Sequence, residues 1–309
     1  MNVVLKRYSW FILKILILGL TVFYLYKALT GNENSYNNWL SLLQQQDRPE
    51  TWILISFSVI LVLFNWGLEA WKWKQLASKI FQISFWKAFR SVMVGLTLGF
   101  ITPNRVGDYA GRILDLNSPK RLEALGAVFL GRFAQLIITV ITGFLGCYYI
   151  TWSFYLSGFF WAKIGIGMLV LTVIISALLF YYNSRLIISL ILLIKPLRKF
   201  LVYIRILARY SKKELGIILL LAGLRYMVFC LQFGLLLTAF GVKLSFIQYL
   251  AGISGTFLLK SIVPSLSALT DIGLRELSAM HFFQLFGQQP SMGSCSCSFG
   301  WRGSAALPK

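Results

Sequence analysis

The sequence predicts an all-α membrane protein: a polytopic helix bundle with two re-entrant broken helices in an inverted repeat. Three observations predict it. Of the 309 residues, 58% are hydrophobic and only 13% charged, about half the charged share of a soluble domain, and the mean hydropathy is +0.72. Several apolar runs approach or exceed the ~20 residues that cross a bilayer. Two shorter apolar runs stop at a proline, Pro103 and Pro264, and each is followed by glycine, acid and arginine.

The first span covers about residues 10–29. Lys6 and Arg7 precede it, as in a signal peptide, but the run is too long for a signal h-region and no small-residue cleavage site follows. It reads as an uncleaved helix. Residues 30–50 are polar and contain Glu33, Asp47, Arg48 and Glu50. The second span, 51–68, leads into Glu69, Lys72, Lys74 and Lys79. Basic residues collect on the cytoplasmic side, which puts the amino terminus inside, 30–50 outside and 69–90 inside.

Only twelve residues, 91–102, separate Arg90 from Pro103. As helix they reach about 18 Å, short of the ~30 Å hydrocarbon core. Proline lacks an N–H and clashes with the preceding turn, so the helix stops there. Spans follow at about 124–150 and 160–182. The basic stretch after them, with Lys195, Arg198, Lys199, Arg205, Arg209, Lys212 and Lys213, is cytoplasmic. Two crossings that end inside must begin inside, so 91–102 enters from the cytoplasm and returns there. Such backbone is tolerated only where protein or a wet cavity covers it.

Residues 196–213 place Leu197, Phe200, Leu201, Ile204, Leu207 and Ala208 on one helical face and Arg198, Arg205, Arg209 and Lys212 on another, the pattern of an interfacial amphipathic helix. A fifth span, 215–240, carries Arg225 near its middle. A second re-entrant segment, 245–264, ends at Pro264 and precedes Asp271, Gly273, Arg275 and Glu276. It follows a span of opposite direction, so it enters from the outside. Inverted-topology repeats bring broken helices together near the midplane in this way. Residues 291–309 are small, polar and basic, unlike the rest, and read as a non-native or disordered tail.

The matching stretches "FNWGLEAWKWKQL", "GFITPNRVGDYAGR" and "SIVPSLSALTDIGLRE" resemble the flippase-like membrane region of lysylphosphatidylglycerol synthases, which also occurs as stand-alone bacterial membrane proteins. The resemblance extends over roughly residues 1–287. It implies a plasma-membrane protein with re-entrant helices and a lipid-translocating role. The synthases add a soluble aminoacyl-transferase domain, which has no counterpart here, so lipid aminoacylation is not expected.

The candidate substrate-binding residues are Asn104, Arg105, Gly107, Asp108, Arg112, Arg225, Asp271, Gly273, Arg275 and Glu276. Arg105 and Asp108, three apart, can pair on a turn. Such a pair fixes the turn or forms a head-group site in which Arg105 or Arg112 meets lipid phosphate and Asp108 balances it. Arg225 costs about 2.5–3.5 kcal/mol at mid-span and calls for a partner, with Glu69, Asp108 and Glu276 as candidates. Asn65 and Glu69, four apart, line a cavity or cap the inner interface. Arg132 reads as a snorkelling residue near a helix entrance, and Lys163 as interfacial.

The function expected is a lipid flippase-like transporter for an anionic or zwitterionic head group in the bacterial plasma membrane. The partners expected are membrane phospholipids and an envelope-lipid enzyme. The alternatives are a non-catalytic scaffold for such an enzyme, or an enzyme using Asp108 or Glu276 as general base. Thirty basic against ten acidic residues give +20, but the basic residues flank apolar spans, which points to membrane orientation rather than nucleic acid. His281 and Cys147, Cys230, Cys295 and Cys297 lack metal-ligand spacing, so no metal or cofactor is expected. No nucleophile–base arrangement is visible.

Overall fold

In the computed structural model the described residues are 49–102, 106–114, 123–155, 158–183, 205–239 and 244–262, with 189, 192–193, 242, 275, 278–279, 281–283 and 285–286. Every regular element among them is helical: α1 Pro49–Ala77, α2 Phe85–Ile101, α3 Val106–Leu114, α4 Ala124–Ile150, α5 Phe160–Tyr182, α6 Lys212–Ala239 and α7 Phe246–Ile262. Four of these are long and apolar enough to cross a membrane: α1, α4 with its continuation to Phe154, α5 and α6. The protein is a polytopic helical membrane bundle. The expected span 10–29 and the tail 291–309 lie outside the described residues.

Hydrogen bonds and ion pairs sort the helix ends into two sets. At one end, Tyr210 donates to the Leu76 carbonyl at 2.6 Å, Lys79 pairs with Glu214 at 2.7 Å and Arg209 pairs with Glu123 at 2.7 Å. The carboxyl end of α1 and the amino ends of α4 and α6 therefore share one face of the bundle. At the other end, Phe154 meets Phe286 at 5.5 Å between ring centroids. There Ile150, Ala251 and Phe282 form a small buried cluster.

Between α1 and α4 the chain makes a hairpin. Ser84 opens α2 by accepting from the Lys87 amide at 3.4 Å, the usual way to satisfy a free N-terminal donor. The helix is 17 residues long, because 85–90 joins residues 91–101 of the stretch expected at 91–102. It reaches about 26 Å, while α3, with nine residues, reaches about 14 Å. Thr102 joins the two helices. Its hydroxyl donates to the Leu98 carbonyl at 2.8 Å and accepts from the Gly107 amide at 2.7 Å. The helices lie almost backbone to backbone. A Cβ on Gly107 would sit 2.2 Å from the Leu98 carbonyl oxygen, and one on Gly111 2.6 Å from Gly95 Cα. Only residues without a side chain allow that approach.

A second antiparallel pairing involves α7. Arg275 lies 5.9 Å above the Phe257 ring, while Cβ atoms on Gly255 and Gly252 would meet Phe282 and Phe283. The α7 positions fall from 257 to 252 as their partners rise from 275 to 283, so the described residues between 275 and 283 run back along α7. The outer face of α7 packs on α4, where a Cβ on Gly146 would lie 2.0 Å from Ser254 Oγ. This pairing opens from the end opposite to the α2–α3 hairpin.

Residues 205–213 differ from a continuous amphipathic helix. Arg205–Arg209 is a single 3₁₀ turn, and α6 begins at Lys212. The reason is a capping box: the Ser211 amide donates to Glu214 Oε2 at 2.8 Å while Ser211 Oγ accepts from the Glu214 amide at 3.3 Å. That reciprocal pair starts a new helix. Ile206, Leu207 and Tyr210 face the core, and burial pushes the Tyr210 phenol above its ordinary value.

Candidate functional site: a buried ion cluster

The α1 sequence places Asn65, Glu69 and Lys72 at intervals of four and three, which makes one face of a helix. All three are buried. Glu69 is the hub. Its Oε2 pairs with Lys72 at 2.7 Å and with Arg225 of α6 at 2.5 Å, and its Oε1 accepts from Arg112 of α3 at 2.7 Å. Arg225 also donates through Nε to Asn65 Oδ1 at 2.7 Å. Of the three partners open for Arg225 in the sequence, the structure brings up Glu69, and adds Asn65.

Arg112 links this hub to a second carboxylate. Its Nε donates to Asp108 Oδ1 at 3.0 Å, one helical turn earlier. Asp108 Oδ2 accepts from Arg132 Nε of α4 at 3.0 Å, and Arg132 Nη2 reaches the same oxygen. Arg132 therefore turns inward to Asp108. With 27% of its side chain exposed, it is also the only member of the cluster with substantial access from outside.

The Trp73 ring closes the cluster, with the Arg112 guanidinium 5.7 Å from its centroid, within cation–π range. Two donors here have no acceptor among the described residues, Asn65 Nδ2 and Trp73 Nε1. Lys72 Nζ has its ion pair with Glu69 but no hydrogen bond of good geometry. Four cationic side chains, Lys72, Arg112, Arg132 and Arg225, thus surround two carboxylates, Glu69 and Asp108.

Of the residues expected from the sequence, Asp108, Arg112 and Arg225 meet in this cluster, and Gly107 supplies the close turn beneath it. Arg275 stands apart, over Phe257. Asn104, Arg105, Asp271, Gly273 and Glu276 lie outside the described residues. The sequence reading did not place Glu69 and Arg132 among the binding residues, and it took Lys72 for an orientation charge. The signal for Lys72 was its spacing from Asn65 and Glu69. For Arg132 it was an arginine deep enough in an apolar run to require a partner. Lys163 sits 4.4 Å from the Trp152 ring centroid, near the α4–α5 connection. Among the described residues no group of His, Cys, Asp and Glu is arranged to hold a metal ion.

These positions fall within a match to the family model described as the lysylphosphatidylglycerol synthase TM region, which covers residues 9–303. The chain belongs to this family. Comparison with curated proteins and with solved structures gives no match. Within the lysylphosphatidylglycerol synthase TM family, then, this chain is a multi-pass membrane protein with an ion cluster shared by the spans α1, α4 and α6 and the short helix α3.

Proposed function

We propose that this membrane protein binds an anionic lipid head group at the Glu69–Asp108 cluster and moves it across the bilayer. The single observation that carries the reading is the cationic excess of a buried network inside a membrane bundle. Ionisable groups within a membrane are expensive and mark substrate or ion pathways. Arginine supplies forked donors suited to phosphate, and three of the four cations here are arginines.

The helix ends support a re-entrant hairpin. The end of α1 and the start of α4 share one face, so the α2–α3 segment between them leaves that face and comes back to it. The α7 pairing opens from the opposite face. In this reading two broken elements enter the bilayer from opposite sides, and the first carries Asp108 and Arg112 to the site. The basic face with Lys79, Arg209, Lys212 and Lys213 is cytoplasmic. Acyl chains remain in lipid while the head group meets the arginines, and movement of one repeat against the other exposes the site to alternate sides.

The cluster suits transport better than catalysis. A general base needs a free lone pair near its substrate, whereas each carboxylate here is held by two or three cations. Reconstituted protein should move a fluorescent short-chain anionic phospholipid between leaflets, and Arg132→Gln, on the accessible edge, should slow it at least tenfold. Equal rates in empty and protein-containing vesicles would remove the transport reading.

A further inference from the structure

The geometry points to a doubly charged phosphate, as in a phosphomonoester head group, as the ligand of the cluster; this rests on the head-group reading above and narrows it. Every cation in the network has a carboxylate partner, but four cations share two carboxylates, which leaves a net charge of +2 among the described residues. Buried charge is stable only when paired. A phosphodiester, with one negative charge, leaves one of the two uncompensated. A phosphomonoester above its second ionisation, near pH ~6, brings two.

The unsatisfied hydrogen-bonding groups match in sign. Asn65 Nδ2, Trp73 Nε1 and Lys72 Nζ are all donors, all on α1, all buried. A phosphomonoester presents three terminal oxygens, each an acceptor, where a phosphodiester presents two. The way in is set by exposure. Arg132 is the reachable member, and among the described residues its guanidinium hydrogen-bonds to Asp108 alone. An arriving phosphate therefore exchanges with the Asp108 carboxylate at Arg132 and Arg112, and the α1 donor beside Arg112 is Trp73.

The same chemistry is carried by a lipid phosphomonoester and by inorganic phosphate, and the test separates them. Full-length protein in detergent micelles is titrated with phosphatidic acid, with phosphatidylglycerol and with inorganic phosphate, at pH 5 and pH 7.5. The expected result is phosphatidic acid bound roughly tenfold or more tighter than phosphatidylglycerol at pH 7.5, a difference of one tenfold step in Kd. That preference should shrink at pH 5. The phosphatidylglycerol arm reports any titration of Glu69, Asp108 or Lys72 themselves. Trp73→Phe keeps a ring beneath Arg112 and removes one donor, and it should reduce the preference severalfold. Arg132→Gln removes one positive charge and should bring it near unity.

Displacement of bound phosphatidic acid by inorganic phosphate supports the charge match and identifies the free anion as a ligand. Its failure, with the lipid preference intact, supports the match and identifies the lipid. Equal affinity for the two lipids at both pH values overturns the doubly charged ligand alone. Binding of neither lipid overturns it together with the head-group site.

Discussion

Replacing Glu69 by glutamine removes the charge that Lys72, Arg112 and Arg225 share at 2.7, 2.7 and 2.5 Å. The shape is kept, so the cost is electrostatic. Four cations then face Asp108 alone, and the excess rises from two to three. Breaking a buried ion pair from one side costs about 3–5 kcal/mol. At about 2 °C per kcal/mol for a chain this long, the unfolding midpoint should fall by about 6–10 °C. Adding Arg225→Met returns the excess to two, so the double variant should recover about 1–3 kcal/mol, the coupling expected of residues in contact. Thermal unfolding of purified protein in one detergent, followed by intrinsic tryptophan fluorescence, reads all four corners of the cycle. A midpoint for Glu69→Gln within 1–2 °C of wild type, or additive effects in the double variant, would refute the hub.

Three further outcomes follow from other contacts. Gly111→Ala forces a Cβ to 2.6 Å from Gly95 Cα and should cost about 1–3 kcal/mol by overpacking; Gly165→Ala, with nothing within 4 Å, should be neutral or slightly stabilising in the same unfolding assay. Ser211→Ala removes the α6 capping box and should cost about 0.5–2 kcal/mol, with faster amide exchange confined to the first turn of α6. Asp108 pairs as a carboxylate with Arg112 and Arg132, so its protonation on acidification breaks both pairs. The unfolding midpoint should drop below roughly pH 4, and Asp108→Asn should flatten that acid limb.

Much of the bundle was legible because membrane spans are set by length and hydropathy alone. Residues 124–150, 160–182 and 215–240 needed only that signal, and a helix stop before Pro103 was expected where α2 ends, at Ile101. The start of α2 was harder. Residues 69–90 read as a cytoplasmic connection, yet Ser84 caps a helix that begins at Phe85, because a local hydrogen bond decides where helix begins. The site was half legible. Asp108, Arg112 and Arg225 stand out as charges in apolar surroundings. Their pairing does not, because Glu69 lies 43 residues from Arg112 and 156 from Arg225, and only tertiary packing brings them together. Arg132 was misjudged as snorkelling because an arginine a turn or two inside a span can turn either way, and only the position of Asp108 on a neighbouring helix decides which.

The most direct measurement is side-specific labelling of single cysteines at Ser84, Glu123 and Phe159, in protein whose four native cysteines are replaced, using a membrane-impermeant thiol reagent on sealed vesicles. The account predicts Ser84→Cys and Glu123→Cys labelled from one side and Phe159→Cys from the other. Labelling of Ser84→Cys and Glu123→Cys from opposite sides would mean that α2 and α3 together cross the bilayer, and the hairpin that carries Asp108 and Arg112 to the site would not exist.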